Sequence, residues 1–339
     1  MAKRIGKTIA LEKEIRILSS AAAVGKKEGE GPLKNEFDLV FEDDRLGQDS
    51  WEKAESELLS MAVKKALANG GTEKNEVDAI FCGDLLDQCI GSSFSMRGFS
   101  RPVCGLYGAC STMALSLCVA ALAIETGGFQ NCIAATSSHF CSAERQFRFP
   151  LEYGGQRTPT SQWTVTGAGA ALLSKSENKN LPQIEKIHIG TICDLGITDA
   201  NNMGAAMAPA AKKTVADFLH DTGTVPKDYD LILTGDLGQV GSELLKELLL
   251  KEDGIDISPV HNDCGLLIFD RRAQDVHAGG SGCGCSASVL CSYILSRIKS
   301  GMLKNVLFVA TGALMSPTSS LQGESIPGIA HAVLISGQK

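Results

Sequence analysis

The sequence predicts an α/β protein of five layers, α-β-α-β-α, built from two copies of one domain. Three observations predict it. The two halves of the chain repeat one another, each half alternates short apolar strands with helices, and each half carries one helix too apolar to turn any face to water.

The repeat can be read residue by residue. Val77-Asp78-Ala79-Ile80-Phe81-Cys82-Gly83-Asp84-Leu85 lines up with Tyr229-Asp230-Leu231-Ile232-Leu233-Thr234-Gly235-Asp236-Leu237. In both, an Asp precedes a short apolar run that ends in Gly-Asp-Leu. Further on, Gly108-Ala109-Cys110-Ser111-Thr112, through to Asn131-Cys132-Ile133-Ala134-Ala135, matches Gly282-Cys283-Gly284-Cys285-Ser286, through to Asn305-Val306-Leu307-Phe308-Val309, without a gap. Each half closes on an apolar strand, Ala170-Ala171-Leu172-Leu173-Ser174 and Ala332-Val333-Leu334-Ile335-Ser336. A repeat this long is no solenoid unit. It is one domain duplicated, residues 1–180 with Cys110 and residues 181–339.

Within the first half, Asp49 or Ser50 caps a helix with the apolar stripe Trp51, Ala54, Leu58, Met61, Ala62 and Ala66, stopped by Asn69-Gly70-Gly71. The run 77–82 is too short for a buried helix and reads as an internal strand. Residues 111–126 form the almost wholly apolar helix, and 132–136 the next strand. The second half gives a helix at about 210–220, a strand at 231–234 and helices near 239–251 and 285–300. Alternation of this kind implies mostly parallel sheets covered by helices.

Composition removes several function classes. Of 339 residues, 44% are hydrophobic and 21% charged, which is ordinary for a globular protein. The net charge is −7 with no basic stripe, so nucleic-acid binding is not expected. No stretch is apolar enough to span a bilayer, and the basic N-terminus lacks the apolar core of a signal peptide. Twelve cysteines include no CxxC pair, and Cys283-Gly284-Cys285 is too tight for a zinc knuckle. Reduced thiols, no metal site and no cofactor are expected.

A crossover helix starts at the C-terminal edge of its strands, so that edge should gather Asp84, Cys110, Ser137, His139, Gly235, Asp236, Cys283 and Gly312. Cys110 opens the apolar helix, where free N–H groups and the helix dipole favour thiolate. The alternative is a buried cysteine filling a tight turn. His139 is read as a ligand contact, then a turn cap, then a base. His261 and His277 read as surface residues, His188 and His331 as satisfied core residues.

Tyr107-Gly108-Ala109-Cys110-Ser111-Thr112 and Thr166-Gly167-Ala168-Gly169-Ala170-Ala171, with the duplication, resemble the thiolase superfamily, particularly its ketoacyl synthase III-like branch, over nearly the whole chain. More narrowly, Phe140-Cys141-Ser142-Ala143-Glu144-Arg145-Gln146-Phe147-Arg148-Phe149-Pro150 and Gln162-Trp163-Thr164-Val165-Thr166-Gly167 resemble the stage V sporulation AD family of endospore formers. The superfamily resemblance implies a thiolase-like fold, a homodimer, and a His and an Asn that polarise a thioester carbonyl. Where those two should stand, this chain has Thr234-Gly235-Asp236-Leu237-Gly238 and Gly280-Ser281-Gly282-Cys283-Gly284, with neither imidazole nor amide.

The narrower resemblance implies a non-catalytic protein that binds dipicolinic acid (pyridine-2,6-dicarboxylate), with or without calcium, and supports its uptake into the developing spore. It also implies SpoVA membrane proteins as partners, and a place in the cytoplasm or forespore at the spore inner membrane. A planar dianion needs forked cationic donors and an apolar slot. The 138–163 loop offers Arg145, Arg148 and Arg157, with Phe147, Phe149 and Tyr153 between them. Its length and lack of periodicity fit a covering loop. The other function class is an acyl-coenzyme A-dependent transferase or condensing enzyme that keeps Cys110 as nucleophile.

Overall fold

The computed structural model describes residues 2–147 and 157–338. The main path of the sheet takes five strands from the first half: Thr8–Val24, Ala79–Gly83, Val103–Gly105, Asn131–Ser138 and Gly167–Lys175. Five come from the second: Gln183–His188, Leu231–Thr234, His261–Asp263, Asn305–Ala313 and Gly328–Ser336. In space both sets run third, second, fourth, fifth, first. The two first strands then pair antiparallel, from Thr8 opposite His188 to Arg16 opposite Gln183. The two half-sheets are thereby hydrogen-bonded to each other.

Helices complete the layers. Trp51–Gly70 covers the outer face of the first half-sheet, and Met203–Thr222 covers that of the second, with Gly238–Asp253 packed against it. Thr112–Glu125 packs on strands of both half-sheets, and Cys283–Val289 lies beside it in the middle layer. These two helices are buried almost throughout, as their small and apolar composition, broken by few polar residues, allows. The five-layer, thiolase-like fold is therefore the one the sequence predicts.

The duplication extends to hydrogen bonds. Asp78 accepts from the backbone N–H groups of Gln130 and Asn131, at 2.7 and 2.9 Å. Asp230 accepts from those of Lys304 and Asn305, at the same distances. In each half, this carboxylate fixes where the fourth strand begins.

Local chemistry explains the helix ends. The Ser50 hydroxyl accepts from the Lys53 N–H, and Gly71 terminates the helix in the left-handed region at φ 60°. The second-half central helix widens into a π turn over Leu290–Ile294, where the Ser20 hydroxyl donates to the Cys291 carbonyl at 2.6 Å. That bond comes from the neighbouring strand and satisfies a carbonyl within the widened turn.

Three expectations need correction. The first central helix starts at Thr112 with Ser111 as its N-cap, so Cys110 lies in the turn before it. The 138–163 segment is not without periodicity, since Phe140–Phe147 is a helix presenting Ala143 and Phe147 to the core. His261 is half-buried rather than a free surface residue; it sits on an edge strand with Nε2 3.0 Å from the Thr234 hydroxyl, and burial lowers its pKa to about 4. Among the described residues, no helix is long and apolar enough to cross a membrane.

The middle layer demands close backbone approach. A Cβ at Gly169 would lie 2.4 Å from the Ala287 carbonyl oxygen of the central helix. Gly169→Ala is expected to cost about 1–3 kcal/mol through overpacking. The check is a urea midpoint that falls while the slope of the transition stays constant.

Candidate functional site

Cys110 stands on a strained turn. Ala109, just before it, has φ 50°, a region that a residue with a Cβ seldom occupies. Side chains clamp the turn: Ser111 Oγ donates to the Gly108 carbonyl and Thr112 Oγ1 to the Ala109 carbonyl, both at 2.6 Å, while Gly108 N–H donates to Thr112 Oγ1. Gly312, on the strand behind, permits this approach. A Cβ there would lie 2.2 Å from the Gly108 carbonyl oxygen.

The cleft above Cys110 is narrow and mostly apolar. Leu85, Tyr107, Phe147, Met203 and Met315 wall it, and Thr164, Glu144 and Ser281 add polar groups. Its volume is ≈ 40 Å³, room for water rather than for an aromatic ring.

The electrostatics around the thiol are acidic. Asp236 is fully buried and accepts from Thr311 Oγ1 at 2.8 Å, Gly282 N–H at 3.0 Å and Ser281 Oγ at 3.2 Å. Burial raises its pKa to about 6, so it is ionised at neutral pH. Burial, and then the Asp236 charge, push the Cys110 thiol well above its ordinary range. The helix-terminus argument for a thiolate is overturned by desolvation and a neighbouring negative charge.

Further carboxyls surround this centre. Asp263 accepts from Thr234 Oγ1 and the N–H groups of Leu237 and Gly238, capping the Gly238–Asp253 helix from the next strand; burial raises it to about 7. Glu55, on the first outer helix, accepts from Ser142 Oγ at 2.6 Å and Ser137 Oγ at 3.3 Å. Burial and the nearby Asp84 raise Glu55 to about 8.

Several predicted ligand residues have structural work instead. Asp84 accepts from Leu86 N–H and Ser92 N–H and folds its own loop. Ser137 gives its hydroxyl to Glu55, and its carbonyl accepts the Cys283 thiol at 2.9 Å. Gly235 lets the chain pass against Ala310, where a Cβ would lie 3.0 Å from the Ala310 Cα. His139 is the turn cap rather than the ligand contact: Nδ1 accepts from Cys141 N–H at 3.1 Å, and Nε2 donates to the Asp44 carbonyl at 2.9 Å. Burial lowers its pKa, in keeping with a neutral ring.

The arginines separate. Arg145 turns outward to pair with Glu52. Arg157 pairs with Asp275 at 2.8 Å and lies over the Trp163 ring at 4.6 Å, outside the Cys110 cleft. Arg148, with Phe149 and Tyr153, lies outside the described residues. Of the predicted set, among the described residues only Cys110 lines the cleft, with Asp236 behind it and Gly312 supporting it. Sequence reasoning missed Glu55, although its place one turn from Trp51 in the apolar stripe marks it as buried. It also missed Ser281, Met203 and Met315, for which no local pattern exists.

Comparison with known proteins identifies the family. Residues 6–336 match the family described as stage V sporulation protein AD, SpoVAD. The chain belongs to the SpoVAD family. It is 45% identical over 327 residues to the stage V sporulation protein AD of Bacillus subtilis strain 168, covering 96% of each chain. Beyond SpoVAD, it is similar in structure to 3-oxoacyl-[acyl-carrier-protein] synthase III from Aquifex aeolicus, with a TM-score of 0.56 and 14% identity over 95% of this chain and 99% of that one. It is also similar to cerulenin-bound OleA of Xanthomonas campestris, with a TM-score of 0.61 and 13% identity over 96% and 99%. At such identities these likenesses establish the thiolase-like fold alone. At the site, this SpoVAD chain turns a carboxylate toward its cysteine where the superfamily resemblance called for an imidazole.

Two outcomes follow from the buried carboxyls. Glu28 (raised to about 8 by burial), Glu55, Asp263 and Asp236 all hold protons more tightly folded than unfolded. Their stabilisation is complete below the unfolded carboxylate range, falls as pH rises from about 4, and is gone once each folded value, about 6 to 8, has been passed. Denaturant unfolding should therefore show falling stability across that window, by up to about 1.4 kcal/mol per pH unit for each titrating group. Glu55→Gln should flatten the upper part of the slope. Separately, Asp236→Asn should lower the Cys110 pKa and speed its alkylation by iodoacetamide, followed by peptide mass spectrometry at fixed pH.

Proposed function

We propose that this chain is a non-catalytic binding protein of sporulation that takes dipicolinic acid and supports its uptake into the developing spore. The observation that carries the non-catalytic reading is the Cys110–Asp236 arrangement. A thiol facing a buried carboxylate is held protonated, and the Cys283 side chain, committed to the Ser137 carbonyl, offers no second donor to a thioester oxygen. Condensing chemistry requires a thiolate and a stabilised oxyanion, and neither requirement is met by these groups.

SpoVAD family membership supports the sporulation role. The ligand reading rests on that membership together with cationic and aromatic groups clustered at the end of the 138–163 segment. On this reading the protein works beside SpoVA membrane proteins and takes the dicarboxylate with or without calcium. A homodimer is part of the proposal. Among the described residues the Val103–Gly105 strand has a neighbour on one side only, and Val103, Phe94 and Ile90 are exposed around it.

The test is a calorimetric titration with pyridine-2,6-dicarboxylate, with and without calcium, beside one with acetyl-coenzyme A. Saturable binding of the dicarboxylate is expected, with an unmodified intact mass after the acyl-coenzyme A incubation and a dimer by light scattering. Steady formation of a transfer or condensation product would replace this reading with the acyltransferase one.

A further inference from the structure

A groove of ≈ 560 Å³ lies away from Cys110, along one edge of the Thr8–Val24 strand. The other edge of that strand is covered by Gly167–Lys175 from Ile15 to Val24. On the groove side the cover is broken. Gln183–His188 pairs as far as Arg16, and the Pro182 carbonyl accepts from Ile17 N–H at 2.9 Å. The next neighbour, the short strand Leu39–Val40, pairs only with Ala23 and Val24. Among the described residues, the span from Leu18 to Ala22 has no strand beside it on this edge, a gap of about 16 Å.

Side chains stand where a strand would run. Asp38 accepts from Ala22 N–H at 2.9 Å, and Asn69 Nδ2 donates to the Ser20 carbonyl at 2.9 Å. A single residue of a parallel neighbour makes these two bonds, accepting from one N–H and donating to the carbonyl two residues earlier. Asn69 Nδ2 also donates to Asp38, at 2.9 Å, and ties the pair together. Asn69 is exposed and Asp38 half-buried, so both can exchange these bonds for water.

The rest of the groove suits a chain rather than a compact molecule. Its floor is the π turn Leu290–Ile294, held by the Ser20 hydroxyl, and Leu18, Leu181 and Leu295 give it apolar surface. The two carboxylates lining it are already held, Glu36 by Arg297 and Asp38 by Ala22 and Asn69. Among the described residues, the Lys299 ammonium at the rim is paired with no carboxylate. The open charge of the groove is therefore positive.

We propose that this groove binds an extended, acidic segment of a protein partner, about five residues long, as an added strand. Its backbone takes over the two bonds that Asp38 and Asn69 now make. Its side chains on one face pack on Leu18, Leu181 and Leu295, and a carboxylate meets Lys299. The inference rests on the partnership with SpoVA membrane proteins proposed above and names the surface for it.

The test uses fluorescein-labelled peptides tiling the soluble segments of the SpoVA membrane proteins, with fluorescence polarisation against the full chain. At least one tile should bind saturably. N-methylation of alternate backbone nitrogens in that tile should weaken it about ten-fold or more, because an added strand needs its N–H groups. Ser296→Trp, which fills the groove from an exposed helix position, should abolish binding. Lys299→Glu should weaken it roughly five-fold. Lys251→Glu, on the Gly238–Asp253 helix, should bind like the wild type, and circular dichroism should be unaltered in all three variants. The groove is ruled out if no tile binds, or if binding survives either Ser296→Trp or N-methylation. In that event, intact detergent-solubilised SpoVA proteins that still bind the wild-type chain would leave the partnership standing with this surface wrong. If they do not bind, both fall together. A dimer that Ser296→Trp converts to monomer in light scattering would give the groove to a second copy and overturn the proposal.

Discussion

Asp236 receives hydrogen bonds from the loop that opens one central helix and from the strand that backs the Cys110 turn. Its own backbone carbonyl accepts from Gln162, which also donates to the Gly280 carbonyl. One buried carboxylate thus fixes the relative positions of segments far apart in sequence, at the point where the two repeats meet. Replacing any donor by an apolar group would leave that charge short of a partner in a dry interior. Burial, and then the same charge, keep the Cys110 thiol protonated. Architecture and chemistry at this centre therefore depend on a single oxygen pair.

The layers were legible because they follow from composition and repetition. A helix such as Thr112–Glu125, with apolar residues all round, has nowhere to lie except between two sheets, and a gapless internal match places its twin beside it. The site was legible only in part. Chain topology brings Asp84, Ser137 and His139 to the strand ends, yet topology does not say which backbone groups each will satisfy. Buried polar side chains go first to unpaired backbone donors and acceptors, and that demand is invisible until the turns are built. The groove beside Thr8–Val24 was hidden for another reason. Its Asp38 and Asn69 are 31 residues apart in sequence, and no spacing rule connects them.

Electrostatics divide the molecule's polar interior into two kinds of place. Around Cys110 the burden is negative and buried, so anything admitted there should be neutral or should bring a proton. Around Trp163 the burden is positive and half-exposed. The Cys110 turn is strained at Ala109, with φ 50°. The strain survives because Gly312 and the clamping hydroxyls of Ser111 and Thr112 hold the turn from both sides.

The Thr8–Val24 strand belongs to both half-sheets. Its later residues pair with Gly167–Lys175 and its earlier ones with Gln183–His188. A ribosome releases the earlier residues first; Thr8–Ala10 pair locally with Lys3–Ile5, but their other partner, Gln183–His188, emerges only after the whole first half. The first half is therefore left with part of that edge uncovered until the opening strand of the second half has emerged. Docking of that strand is a long-range event, and such loops close slowly. Until then the nascent chain exposes an open β edge, the kind of surface that invites wrong partners and benefits from chaperone cover.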